Sequence, residues 1–250
     1  MVRLATVGTS AITEKFLSAA RKTGRFELVT CYSRTGEKGE AFAKAQGFKG
    51  CCTDITELAK SPDINAVYIA TPNSLHYAQS RIFLENGKHV LCEKPITASA
   101  KEYDALLKLA DEKGVIYAEA IMSRHFKGRK ILFNALSEIG DISAARIDYC
   151  QRSSRYDAFK SGEHMNIFDM SLGAGTLTDL GVYCVYAAVD MFGMPQSVKA
   201  SAAFFDNGAD KSGSAIFEYD GFTAALSYSK AGQSAIGSEI IGDGGAVKIG

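Results

Sequence analysis

The chain has 250 residues, 46% of them hydrophobic, which is enough to bury one large core or two smaller ones. Its 28 Lys and Arg residues balance its 28 Asp and Glu residues, so the formal net charge is zero and nucleic acid is a poor candidate partner. No apolar run approaches the roughly 20 residues that cross a membrane, and a strand begins at once, leaving no room for a signal peptide.

The six cysteines indicate a reduced, cytoplasmic protein. They stand at positions 31, 51, 52, 92, 150 and 184, mostly in apolar surroundings, and no C-x-x-C spacing occurs. This usage is typical of packing residues, not of a metal site or a disulfide framework. We therefore expect no bound metal.

The chain opens with a strand, a glycine turn and a helix. Leu4–Val7 form a predicted buried strand that ends at Gly8, and the helix that follows is closed by Gly24. Such a turn presents backbone N–H groups to a pyrophosphate, although Ser10 and Thr13 replace two glycines of the G-x-G-x-x-G pattern. The candidate dinucleotide contacts in this turn are Gly8, Thr9, Ser10, Ala11 and Ile12.

The second predicted strand, Phe26–Tyr32, ends in Ser33 and Arg34, where NAD-binding domains of this kind carry an acid. A carboxylate there repels a 2′-phosphate, whereas a hydroxyl followed by a guanidinium attracts one. The pair favours NADP(H) over NAD(H), although Arg34 could instead stack on the adenine of NAD. Lys38 could assist, or it could be a solvated helix charge.

The next elements continue the alternation of helix and strand. A helix is predicted over Gly36–Gln46, a short strand near residues 48–52, and a short helix opened by the capping box Asp54 and Glu57. The strand Ala66–Ala70 follows, and Ser74 is predicted to cap the helix after it. The segment at the end of this strand lies over the same edge as Gly8, with the candidate contacts Ala70, Thr71, Pro72, Asn73 and His76. A helix-surface histidine is the alternative for His76.

The fifth predicted strand, His89–Cys92, ends in an acid and a base held by a proline. Pro95 keeps Lys94 out of the helical region, so the chain leaves the strand extended. Because open α/β sheets bind ligands at the carboxyl ends of their strands, Glu93 and Lys94 are candidate cofactor contacts. A strand-capping ion pair is the alternative.

The second half changes in character. A helix capped by Ser99 and Glu102 ends at Gly114, and Val115–Ala118 form the sixth strand. A helix over residues 128–139 follows, and then strands at 142–151, 197–205, 213–219, 222–229 and 236–241. We expect consecutive strands of this set to pair antiparallel. The predicted fold is α/β: a doubly wound parallel sheet, followed by an α+β domain with an open, mostly antiparallel sheet.

The order of the motifs G-T-S, C-Y-S-R, I-A-T-P-N-S-L-H and L-C-E-K-P-I resembles the glucose–fructose oxidoreductase / inositol dehydrogenase family, over essentially the whole chain. The resemblance implies a Rossmann domain over residues 1–120 and a substrate and oligomerisation domain over 121–250. Chains of the family usually continue further, so the resemblance also implies that the second domain is incomplete at its C-terminal end, unless the further segment is not needed.

Residues 173–183 resemble the family motif G-x-G-x-x-x-D-x-G-x-H/Y. Asp179 and Tyr183 are four residues apart, hence on one helical face. Tyrosine at position 183 resembles the dihydrodiol-dehydrogenase-like branch. Taken alone, the two would be a helix-start acid and a buried tyrosine. The resemblance implies instead that they are catalytic together with Lys94.

The implied roles follow from the chemistry. A free tyrosine titrates near ~10, and a neighbouring ammonium brings it closer to neutral pH. Lys94 would supply that charge for Tyr183, the proton donor, and Asp179 would orient Lys94 or a substrate hydroxyl. Candidate substrate residues are Arg124, His125 and His164, of which the histidines could also be surface residues.

We therefore expect an NADP(H)-preferring oxidoreductase that acts on a sugar, polyol, dihydrodiol or related hydroxy or carbonyl compound. A non-catalytic NAD(P)-binding sensor of the same fold is the alternative. We also expect a homodimer or homotetramer joined through the open face of the second sheet, on which Phe217, Tyr219, Leu226 and Tyr228 would place large side chains.

Overall fold

Two six-stranded sheets organise the computed structural model, which describes residues 1–249. Each sheet belongs to one of two compact units, Met1–Ala120 and Ile121–Gly250. The α/β fold class predicted from the sequence is confirmed.

The sheet of the first unit is parallel throughout, in the order β3-β2-β1-β4-β5-β6. The strand order reverses between β1 and β4, and this topological switch point is where open α/β sheets bind ligands. The six strands are β1 (Val2–Val7), β2 (Phe26–Tyr32), β3 (Gly50–Cys52), β4 (Ala66–Ile69), β5 (His89–Cys92) and β6 (Tyr117–Glu119).

Five helices connect these strands: α1 (Ala11–Thr23), α2 (Gly36–Gln46), α3 (Ile55–Lys60), α4 (His76–Glu85) and α5 (Ala100–Lys113). The predicted caps Asp54 and Ser99 accept backbone N–H groups at the starts of α3 and α5. The predicted cap Ser74 is wrong: it lies inside a 3₁₀ turn, Asn73–Leu75, and α4 begins without a side-chain cap.

Both faces of the parallel sheet are buried. Neighbouring residues of β1 and β4 enter different apolar clusters: Leu4 and Tyr68 pack in one, and Ala5 and Val67 in the other. Successive side chains of a strand point to opposite faces, so helices cover the sheet on both sides. With both faces covered, a sheet of this kind binds its ligands at the carboxyl ends of the strands.

The second unit has a mixed sheet in the order β12-β11-β7-β10-β9-β8. Its strands are β7 (Ile142–Cys150), β8 (Ser197–Phe204), β9 (Asp210–Glu218), β10 (Thr223–Ser229), β11 (Ser238–Gly242) and β12 (Gly245–Ile249). Neighbours are antiparallel except β7 and β10, which pair in parallel with Thr223 opposite Ala144. Consecutive strands pair antiparallel as predicted where they are neighbours, but within residues 1–249 β7 does not pair with β8 and β10 does not pair with β11, and the parallel pair joins two non-consecutive strands.

The helices of the second unit are α6 (Gly128–Leu136), α7 (Tyr156–Lys160) and α8 (Val182–Phe192), and a π-helical turn, Leu177–Gly181, leads directly into α8. Cys184 and Ala188 of α8 pack in one cluster with Phe217, Leu226 and Tyr228. Those three side chains therefore lie on the covered face of the sheet, and their predicted place on the open face is wrong. Alternate positions on the other face, such as Ser214 and Ile216, are exposed.

The helical stretch Met170–Phe192 is 23 residues long, and an 18-residue window within it has a mean hydropathy of 1.3, so by length and composition alone it could cross a membrane. No run of this kind was expected from the sequence. One side of its α8 segment packs in the core, since Cys184 and Ala188 are 1% and 0% exposed, and 33% of the apolar window is buried.

Candidate functional site

The switch point of the first unit requires a glycine after β1. Gly8 has φ +107°, and a Cβ atom on it would lie 2.5 Å from the Ala70 carbonyl oxygen. The two loops are fixed to each other because the Ala70 N–H donates to Val7 O at 2.8 Å. Any side chain at position 8 would have to push the β4 loop away.

The turn after Gly8 leads into the uncapped start of α1. Ser10 is extended at φ −86° and ψ 168°, and its side chain caps no backbone N–H group. Its hydroxyl instead lies 3.4 Å from that of Thr13, which is fully buried. A first helical turn without a side-chain cap is the feature that receives phosphate oxygens in dinucleotide sites.

The end of β2 offers two exposed cations next to a fixed serine. The Ser33 N–H donates to Cys52 O at 3.1 Å, and its Oγ accepts from the Thr35 N–H at 3.4 Å. The side chains of Arg34 and Lys38 are exposed. Ser33 therefore belongs to the turn, and the cations are accessible to an anion.

His76 joins the loops after β4 and β5. It is fully buried, so the helix-surface alternative is wrong. Its Nδ1 lies 2.8 Å from Pro95 O and its Nε2 lies 3.0 Å from Thr71 O. Because both ring nitrogens lie at main-chain carbonyls of the first unit, His76 holds the two predicted cofactor loops in place.

The E-K-P segment is held by carboxylates. Glu93 accepts from the Tyr68 hydroxyl at 2.5 Å and from the Lys94 N–H at 3.3 Å. Glu119 accepts from the Ile96 N–H at 2.8 Å, and the peptide bond between Lys94 and Pro95 is cis. These contacts fix the main chain on either side of Lys94.

Tyr68 is a residue that the sequence analysis missed. Its ring is 1% exposed and stacks on Phe16, with 3.9 Å between ring centroids. A buried tyrosine needs a partner for its hydroxyl, and a tyrosine in the middle of an apolar strand was the available signal.

Close packing explains why glycines stand at positions 175 and 181 of the motif at residues 173–183. Asp210 accepts from the N–H groups of Thr176 and Leu177, both at 2.7 Å, and a side chain on Gly175 would collide with its carboxylate. A Cβ on Gly181 would lie 2.9 Å from both Leu177 Cδ1 and Tyr228 Cδ1. These glycines let the helix start and the sheet approach closely.

Asp179 and Tyr183 lie at the junction of the π-helical turn and α8. Asp179 Oδ2 is 3.0 Å from Nζ of Lys230, which is 2% exposed. The Tyr183 ring meets the Tyr149 ring edge to face, with 5.5 Å between centroids. Burial, and after it the charge of Asp179, raise the pKa of the Tyr149 phenol. Lys230 is a second residue that the sequence analysis missed.

A cavity of about 560 Å³ lies within the second unit, between α6, α8 and the sheet. Tyr183 and the predicted substrate residue Arg124 both line it, whereas His125 and His164 do not. His125 is exposed in the 3₁₀ turn Met122–His125. His164 is also exposed and lies 2.8 Å from Asp169, whose pKa is lowered by hydrogen bonds from Ser171 and then His164.

Comparisons with known proteins agree over both units. A profile of the oxidoreductase family with an NAD-binding Rossmann fold matches residues 2–121, and a profile of the GFO/IDH/MocA C-terminal domain matches residues 135–248. Scyllo-inositol 2-dehydrogenase (NADP(+)) IolU of Bacillus subtilis is 41% identical over 249 residues, which are 100% of this chain and 76% of that protein.

Trans-1,2-dihydrobenzene-1,2-diol dehydrogenase of Oryctolagus cuniculus is 29% identical over 232 residues, 88% of this chain and 68% of that protein. The crystal structure of KijD10, a 3-ketoreductase from Actinomadura kijaniata in complex with NADP and TDP-benzene, superposes with a TM-score of 0.84 at 24% identity, covering 96% of this chain and 74% of that one. At this identity the superposition shows a shared fold.

Proposed function

Because this chain belongs to the GFO/IDH/MocA family of oxidoreductases with an NAD-binding Rossmann fold, we propose that it transfers hydride between NADP(H) and a polyol, sugar, dihydrodiol or related hydroxy or carbonyl compound. The observation that carries the proposal is the cradle at the switch point, where only a glycine fits between β1 and the Ala70 carbonyl. A dinucleotide needs this close approach of the backbone to its pyrophosphate.

The residues present fit such a cofactor. The uncapped start of α1 suits the pyrophosphate, and the exposed Arg34 and Lys38 suit a 2′-phosphate. We propose that the loops held by His76, and the segment at Glu93 and Lys94, complete the cofactor contacts. When bound, the nicotinamide supplies or accepts the hydride.

The protein's part of the reaction is then to move a proton at the substrate oxygen. We propose that Tyr183 donates it in reduction and accepts it in oxidation. The ammonium of Lys94 would favour the phenolate form of Tyr183 and hydrogen-bond the same oxygen. Asp179 would orient a substrate hydroxyl, and Arg124, His125 and His164 would contact the rest of the substrate.

The test measures the change in nicotinamide absorbance when the protein, a cofactor and a candidate substrate are mixed. NADP+ is offered with scyllo-inositol and a trans-dihydrodiol, the compounds in the names of the two relatives, and NADPH is offered with aldehydes, ketoses and diketones. We expect turnover with at least one of them and a higher rate with the phosphorylated cofactor. Tight NADPH binding without turnover on any of them would instead support the non-catalytic sensor.

We further propose a cytoplasmic homodimer or homotetramer joined through the exposed face of the second sheet. That face carries the exposed side chains of Ser214 and Ile216. Light scattering at micromolar concentration should give at least twice the 26.8 kDa chain mass, and Ile216→Asp should reduce it. A single-chain mass for the parent protein would contradict the proposal.

A further inference from the structure

Lys230 is a lysine enclosed by the second unit. It directly follows β10, and only 3% of its side chain is exposed. Its Nζ donates to Ile167 O at 3.0 Å, lies 3.0 Å from Asp179 Oδ2 and sits 5.4 Å from the centre of the Phe168 ring. Lysines are almost never buried to this degree unless they are paired.

Hydrogen bonds on both sides fix the main chain of Lys230. The Lys230 N–H donates to Lys211 O at 3.3 Å, and its carbonyl accepts from the Ser153 N–H at 2.8 Å. Removing an ammonium from water costs several kcal/mol, and hydrophobic side chains of similar volume are often as stable or more stable in such a place. Stability alone therefore gives little reason for a charge at position 230.

The side chains of Lys230 and Asp179 differ in their exposure to solvent. The Asp179 side chain is 42% exposed, whereas its cationic partner is enclosed. The ammonium thus fixes one carboxylate oxygen from the protein side and leaves the carboxylate on the accessible side. A buried cation that supports an accessible carboxylate is an arrangement suited to positioning a functional group.

We propose that Lys230 is the positioning residue for Asp179: its buried ammonium keeps the carboxylate ionised and fixes its orientation toward the substrate. This inference rests on the proposed function of Asp179 in the reaction. Lys230 itself touches neither cofactor nor substrate in the proposal and acts only through Asp179.

Three charged or titratable groups of the second unit lie near Asp179 and bear on the expected pH effect. Lys230 approaches from the end of β10, Tyr149 from β7, and Tyr183 lies one turn further along the helix. A phenol carries no positive charge in either protonation state, so neither tyrosine can replace the ammonium. Without Lys230, Asp179 should take up its proton at a higher pH.

The experiment compares Lys230→Met with Lys199→Met, each with and without Asp179→Asn. Lys199 is the matched control, because its Nζ lies 2.6 Å from Glu218 Oε1 in the same sheet but its side chain is 76% exposed. Carboxyl carbons are observed by NMR in protein labelled with 13C-aspartate, and Asp179→Asn identifies the signal. We expect the Asp179 titration to move up by about one pH unit or more in Lys230→Met and to stay unchanged in Lys199→Met.

Kinetics supply the second readout. The acid limb of kcat/KM should move to higher pH with the NMR titration, and the double variant Lys230→Met with Asp179→Asn should be no slower than Asp179→Asn alone. An unmoved Asp179 titration, or additive losses in the double variant, would overturn the proposal. A shifted titration in a protein with no turnover on any substrate would uphold the positioning role and reject the proposed function.

A folding failure of Lys230→Met does not remove the test. Lys230→Gln retains an N–H donor for the Ile167 carbonyl while lacking the charge, so its Asp179 titration should move in the same direction. Asp179→Asn should also lower the urea midpoint, because it removes the negative charge 3.0 Å from the enclosed ammonium. The proposal would be refuted if Asp179→Asn had the urea midpoint of the wild-type protein and the Asp179 titration in Lys230→Gln were unchanged.

Discussion

Replacing Gly8 by alanine should damage cofactor binding more than it damages folding. The substitution adds one carbon atom at the point where β1 and the loop after β4 meet. That atom would lie 2.5 Å from the Ala70 carbonyl oxygen and 3.0 Å from its carbonyl carbon. Both distances are shorter than a relaxed contact, and the obstacle is main chain, which cannot rotate away as a side chain can.

Two costs can be separated. The first is conformational: a non-glycine residue at φ +107° costs on the order of 1–3 kcal/mol. The second is steric, since the Ala70–Thr71 peptide must move by several tenths of an ångström. That shift would widen the cradle proposed to receive the pyrophosphate, and we expect NADPH affinity to fall at least about tenfold, or ~1.4 kcal/mol.

Gly24→Ala is the matched control. Gly24 lies in the same unit with φ +65°, and a Cβ there would meet nothing within 4 Å. It should therefore lose roughly 1–2 kcal/mol of unfolding free energy, with unchanged NADPH affinity. Urea unfolding measures the first quantity for both variants, and fluorescence titration measures the second at a temperature where both are folded.

Comparing Gly8→Ala with Gly24→Ala tests whether the turn at Gly8 binds the pyrophosphate. A folded Gly8→Ala protein that binds NADPH as tightly as its parent would show that the cradle is not the pyrophosphate site. Equal affinity losses in both variants would show that the effect arises from general destabilisation of the first unit.

Three further outcomes are expected. Arg34→Ala should weaken NADPH by roughly 1.5–3 kcal/mol in titrations and leave NADH unchanged, since a charged hydrogen bond to the 2′-phosphate is lost; equal losses for both cofactors would contradict this. Tyr183→Phe should lower turnover by about 10²–10⁴-fold with normal NADPH affinity, and near-normal turnover would reject Tyr183 as proton donor. Asp190 accepts from Arg129 at 2.6 and 2.8 Å, which lowers the pKa of its carboxyl. Stability from this pair is fully present above the ordinary carboxyl pKa of 3.8 and is lost as pH falls through the lowered one. Asp190→Asn should therefore lower the urea midpoint at pH 7, and the difference from the parent protein should shrink as the pH falls below 3.8.

Local signals in the sequence were sufficient for most of the first unit. The helix ends at Gly24, Gly47 and Gly114 were predictable because a left-handed C-cap strongly favours glycine. Ser74 failed as a cap because the chain makes a 3₁₀ turn before α4, and a capping residue alone does not reveal which turn precedes the helix.

The second unit was less predictable because its pairing is non-local. β7 and β10 pair in parallel although 72 residues separate Cys150 from Thr223 in chain order, and no local pattern specifies that pairing. The same limit explains the wrong face for Phe217 and Leu226. Alternation shows that one face of a strand is apolar, but which face the helices cover depends on how α8 packs.

The residues named by the family motifs are held in place by residues outside those motifs. Tyr68 holds Glu93 from a neighbouring strand, and Lys230 holds Asp179 from 51 positions further along the chain. A sequence motif specifies residue types only, whereas its function depends on an oriented and correctly charged side chain. A chain that kept Asp179 and Tyr183 but carried a neutral residue at position 230 would match the motif and still lack the supporting charge. If Lys230 positions Asp179 as proposed, the residue at position 230 should be read together with Asp179 and Tyr183 when the activity of this chain is considered.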